Sequence, residues 1–74
     1  MNKQRRSDIE RARTLVDEAR AILEQARDDE QDFFDNMPEG LQQSERGERA
    51  SEVADALSSA VDSIEEIDFD DLVS

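Results

Sequence analysis

Apolar residues recur along this chain at alternating spacings of three and four from one end to the other, which is the period of amphipathic helices. In the first half the stripe is Ile9, Ala12, Val16, Ala19, Leu23, Ala26 and Phe33, widened by Leu15 and Ile22 and interrupted where Glu30 falls. In the second half it is Ala50, Ala54, Leu57, Val61 and Ile64, widened by Val53, Ala60 and Ile67. The pattern predicts an all-α chain folded as an antiparallel two-helix hairpin. Its expected parts are a basic tail over 1–7, helix 1 over 8–36, a loop over 37–43, helix 2 over 44–67 and an acidic tail over 68–74.

The ends follow from local chemistry. Ser7-Asp8-Ile9-Glu10 reads as a capping box, in which the Ser7 hydroxyl and the Glu10 carboxylate satisfy amides that the first turn leaves unpaired. Pro38 biases the residue before it away from helical geometry, and Gly40 can take the positive φ that a turn needs. Ser44 is a good cap for helix 2, with Glu45 in its positive first turn. Gly47 inside a helix costs ~1 kcal/mol relative to Ala, which points to a close approach, with the Phe33 ring as the expected neighbour.

Folding about residue 39 makes facing positions sum to about 78. Arg13, Arg20 and Arg27, seven apart and flanking the helix 1 seam, then face Glu65, Ser58 and Ser51, and Glu30 sits on the seam near Gly47, Ala50, Arg46 and Arg49. A carboxylate on a core face needs a partner, which an arginine would supply. The combined stripe is wider than one partner helix can cover. Self-association is therefore expected, most simply a dimer forming a four-helix bundle, with a higher coiled-coil-like oligomer as the alternative. The many small residues of helix 2 permit close helix approach.

Composition narrows the chemistry. The 74 residues hold 21 acids against 9 bases, a net charge of -12, with no Cys, no His and three aromatics, all Phe. A disulfide framework, an imidazole metal site and an aromatic platform for single-stranded nucleic acid are excluded. The short apolar runs and the opening Met1-Asn2-Lys3-Gln4-Arg5-Arg6 give neither a membrane span nor a signal peptide, so a cytoplasmic protein is expected. Acids are concentrated: residues 52–74 carry eight and no base. Such a surface repels nucleic acid and anionic membrane and attracts a basic protein partner. An acidic surface also serves solubility in a salt-adapted or GC-rich source, and the eight Arg against one Lys fit that reading too.

Catalytic and cofactor sites find little support. Asp28, Glu30, Asp32 and Glu39 fall at positions one, three, five and twelve of a calcium loop, but Phe33 stands where the loop requires glycine. A carboxylate-bridged metal pair lacks its histidine. Ser44 has no base near it, a thin hairpin offers no pocket to perturb a carboxylate, and Gly40 and Gly47 form no phosphate loop. No enzyme, metal or cofactor is expected.

The individual stretch is the connection. Phe34, Met37 and Leu41 surround Pro38: either they close the end of the bundle as an apolar plug or they mark a binding face at its tip, together with Arg46 and Arg49. The run from Asp29-Glu30-Gln31 through Phe34-Asp35-Asn36-Met37-Pro38-Glu39-Gly40-Leu41-Gln42 to Ser44-Glu45-Arg46-Gly47-Glu48 resembles a family of small uncharacterised acidic phage and prophage proteins. The resemblance spans roughly residues 20–67. It implies a phage-type origin, host cytoplasm as the location and a helical hairpin, and it brings no activity. The basic start and the short C-terminus depart from it.

At the other end Asp68, Phe69, Asp70, Asp71 and Leu72 mix apolar and acidic residues, as peptides that dock on a basic-rimmed groove do, or as a last turn covering the open end of the bundle does. Acids at a helix C-terminus oppose its dipole, so poor ordering is expected there unless something binds. The function expected is protein–protein interaction, with inhibition of a host defence protein as the candidate role. The alternatives are a DNA mimic that blocks a nucleic-acid-binding enzyme and a nucleotide sponge using Arg46, Arg49 and amides near Ser44.

Overall fold

The computed structural model describes residues 2–73. They form four helices, α1 (Lys3–Asp35), α2 (Glu39–Gln42), α3 (Glu45–Glu65) and α4 (Phe69–Val73), and no strand occurs among the described residues. The molecule is a rod with Cα extents of 58 × 15 × 14 Å. Its length is set by α1, whose 33 residues rise about 50 Å at 1.5 Å each.

Helix α1 starts five residues earlier than the capping box indicates. Asn2 is the N-cap, with extended backbone, and its Oδ1 accepts from the Arg5 amide at 2.8 Å. Ser7 therefore lies inside the helix, and the Glu10 carbonyl accepts the Thr14 hydroxyl one turn on. Asparagine caps as well as serine, and Lys3–Arg6 contain nothing that stops propagation, so the helix runs back to the first good cap. Of the expected basic tail, residues 3–7 belong to α1, Asn2 is its cap and Met1 lies outside the described residues.

At its other end α1 stops at Asp35, with the Asn36 amide donating to the Asp32 carbonyl at 2.9 Å. The expected loop over 37–43 is itself partly helical. Pro38 takes the N-cap position of α2, where its fixed φ of -55° fits and its carbonyl accepts from the Leu41 and Gln42 amides. Gly40 is a helical residue of α2, and no described glycine has positive φ. Ser44 caps α3, accepting from the Gly47 amide at 3.3 Å while its own hydroxyl donates to the Leu41 carbonyl. The close approach at Gly47 comes from backbone and not from the Phe33 ring: a Cβ there would meet the carbonyl oxygens of Leu41 and Gln42.

α1 and α3 lie side by side and run in opposite directions, since Arg13 meets Asp70 and Arg20 meets Glu65 while Phe33 meets Arg46. Among the described residues the fully covered ones all belong to α3: Gly47, Ala50, Ala54 and Val61. Small side chains there let α1 come close. On α1 the half-buried positions include Ile9, Arg13, Val16, Arg20, Leu23, Arg27, Glu30 and Phe34, a three-and-four series. The three arginines thus occupy the seam instead of flanking it, their aliphatic stems supplying apolar surface while the side chains stay partly exposed, the buried Arg20 Nε excepted.

Phe33 and Arg46 meet close to the expected sum of 78 at the connecting end, whereas the ion pairs toward the open end meet at larger sums. Arg20 is 3.6 Å from Glu65, and Arg13 is 3.2 Å from Asp70. Long side chains lean toward the N-terminus of their own helix, so ion pairs between oppositely directed helices meet at larger sums than their backbones do.

Candidate interaction surfaces

Three surfaces result, and each gathers residues that the sequence singled out. At the connecting end the ring of Phe33, 43% exposed, lies under the Arg46 guanidinium at 5.3 Å. Phe33 joins Met37, Pro38, Leu41 and Arg46 in an open, largely apolar groove of about 480 Å³. Leu41 is exposed and Met37 half-buried. Phe34 does not join them. It is half-buried on the other side, beside Gln42 and Ser51, and its carbonyl accepts the Gln42 side-chain amide at 3.1 Å. The two phenylalanines have therefore exchanged the expected roles, Phe33 facing out and Phe34 turned in. One residue is 100° of helix, so adjacent rings cannot share a face.

Beside this groove, Glu30, Arg46 and Arg49 line a second depression with Glu45, Glu48 and Glu52. Glu30 makes no ion pair with either arginine among the described residues. Arg46 is over Phe33, and Arg49 is 3.7 Å from Glu52. Half-buried Glu30 keeps water access through the depression, which removes its need for a partner.

At the open end residues 69–73 of the expected acidic tail form α4, and Ser74 lies outside the described residues. The Asp68 carboxylate accepts from the Asp71 amide at 3.1 Å and begins the new helix. A break at Glu66–Asp68 turns the acids from C-terminal residues of α3, where the dipole opposes them, into first-turn residues of α4, where it favours them. Phe69 is half-buried 6.0 Å from the Arg13 guanidinium carbon, and Asp70 accepts from the same arginine. Leu72 stays 47% exposed.

The long sides of the rod differ in character. One carries exposed acids at seven-residue intervals, Glu48, Asp55 and Asp62, with Asp17 and Asp28 of α1 on the same side. The other is apolar. Leu15 is 53% and Ile22 68% exposed there, neither covered by α3. Their exposure has a signal in the sequence: the stripe of α1 is two overlapping three-and-four series, one residue apart, and a single neighbouring helix covers one.

Among the described residues no group of three or more carboxylates gathers to hold a metal ion, and no helix is long and apolar enough to cross a membrane. No family model, no curated protein and no solved structure matches the chain.

Proposed function

We propose that this chain is a non-enzymatic interaction protein, a two-helix hairpin that pairs with itself into a four-helix bundle and presents acidic sides to a protein with a basic surface. The observation that carries the reading is the division of the rod: Glu48, Asp55 and Asp62 stand exposed along one side, and Leu15 and Ile22 along the other. Carboxylates held at ~10 Å intervals on a rigid helix make a fixed potential that steers a basic partner and rejects nucleic acid. The loop motif adds a phage-type origin, and with it a host protein in the cytoplasm as the target. Affinity purification from the source or infected cell followed by mass spectrometry names the partner. Asp55→Lys with Asp62→Lys should then cut affinity at least tenfold, and unchanged affinity sinks the reading.

A second reading draws on the same side of the rod. Carboxylates in a row along a 58 Å body imitate a run of phosphates, which makes the target a DNA-binding enzyme. Duplex DNA competes for the partner in this case and not in the first. The nucleotide sponge has less behind it, because Arg46 and Arg49 share their depression with four glutamates that repel phosphate.

A further inference from the structure

Among the described residues the buried apolar core consists of Ala50, Ala54 and Val61. A chain of this size covers only ~60% of the surface it exposes when unfolded, and here little of what it covers is a large side chain. The large side chains are instead left outside, and they are not scattered. Leu15, Ile22 and Phe33 of α1 each lie one residue before a seam position, 100° round the helix. On α3 the positions one residue before the seam are Arg46, Arg49, Val53, Ala56, Ala60 and Ser63. Because the two helices run in opposite directions, a step back along each turns both toward the same side of the pair. The ring contact between Phe33 and Arg46, one residue before Phe34 and Gly47, shows that they share that side.

We infer that a second copy of this chain docks on this face, related by a two-fold axis along the rod so that the two connecting ends lie together. The inference rests on the hairpin reading above and says which surface pairs and in which orientation. Three observations select this occupant. The face from Ala12 to Phe33 is ~32 Å long at 1.5 Å per residue and, at the 15 Å width of the rod, covers ~470 Å², the size of exposed apolar patch that marks a protein contact. The size pattern is self-complementary, since the axis along the rod stacks α1 on α3 of the second copy and sets Leu15 and Ile22 against its Ala56, Ala60 and Ser63. The charge pattern is self-complementary in the same orientation: Asp29, the one charge in the α1 row from Ala12 to Phe33, lies at the connecting end, as do Arg46 and Arg49. A head-to-tail pair would instead bring Asp29 beside Ala12 and Leu15 of the second copy, a carboxylate against apolar side chains with no partner. The acidic sides then face outward on both surfaces, so one dimer offers two equivalent acidic faces.

The test is sedimentation equilibrium on the full chain from micromolar to millimolar concentration. The mass of two chains is expected, falling to one chain for Leu15→Glu with Ile22→Glu and unchanged for Asp55→Lys with Asp62→Lys on the opposite side. A single-chain mass for the unsubstituted protein overturns the inference, as does a mass of four chains or more. Because the double glutamate variant can lose its fold along with its partner, a spin label on Glu39→Cys of the otherwise unsubstituted chain gives an independent readout. Labels of the two copies should lie within ~35 Å, a few helix layers, and a separation beyond ~50 Å overturns the orientation. A label pair on Arg11→Cys and Glu66→Cys in one chain, diluted with unlabelled protein, should lie within ~25 Å, and a longer distance assigns the failure to the hairpin and not to the face.

Discussion

The Arg13 guanidinium donates to the Asp70 carboxylate at 3.2 Å, joining residues 57 apart in sequence and tying the short α4 to the start of α1. Phe69 lies 6.0 Å from the same guanidinium, so one side chain holds the segment by an ion pair and by its position over a ring. The pair is exposed, 42% and 82%, and contributes ~0–1 kcal/mol, which salt reduces. Arg13→Ala should therefore leave the global unfolding midpoint within a few degrees while raising amide exchange of residues 69–72 to that of a free peptide. Protection in α4 that survives the substitution assigns its order to Phe69 packing alone.

The two glycines respond in opposite directions. A Cβ at Gly40 meets nothing within 4 Å, and its φ is not positive, so Gly40→Ala should stabilise the fold by ~0.4–1 kcal/mol through the unfolded chain. A Cβ at Gly47 meets the Leu41 and Gln42 carbonyl oxygens, which belong to the backbone and cannot swing away. Gly47→Ala should cost ~2–3 kcal/mol, a fall in thermal midpoint of ~10 °C or more for a chain of this size. Equal midpoints for the two variants count against the packing of α2 on α3.

Helix starts give a third contrast. Ser44→Ala removes the oxygen that accepts the Gly47 amide and should cost ~1 kcal/mol. Ser7→Ala, one turn inside α1, should be neutral or stabilise by a few tenths of a kcal/mol, because alanine is the better interior residue. A loss at Ser7 as large as that at Ser44, read from urea midpoints, returns the start of α1 to the Ser7 capping box.

Arg20 is the fourth case. Its Nε is buried with no hydrogen-bond partner among the described residues, and its contact with Glu65 at 3.6 Å is long and partly exposed. Methionine keeps the unbranched stem and removes the unpaired donor, so Arg20→Met should leave stability unchanged or raise it by up to ~1 kcal/mol in urea unfolding. A loss greater than ~1 kcal/mol shows that the guanidinium contributes more than its geometry implies.

Local chemistry in the sequence determined that the described chain is helical, that Pro38 ends the first long helix, and that Ser44 begins the second. Each depends on residues within one turn of one another. What local chemistry left undecided was which of several equivalent signals acts. Asn2 and Ser7 both offer a cap, and the helix extends to the outer one because no residue between them opposes it. The acids after Glu65 read as an unfavourable helix end until the break at Glu66–Asp68 makes them a favourable start.

The orientation of α1 was beyond the pattern for a different reason. Its apolar residues form two series one position apart, and both have helical period. Only the packing against α3 chose between them. Small buried residues such as Ala50 and Ala54 let α1 come close, and the seam takes arginines and Phe34, while Leu15, Ile22 and Phe33 remain outside. Periodicity reports that a helix has an apolar side. Which side meets a given neighbour depends on the volume that the neighbour leaves free, and that is set by tertiary structure.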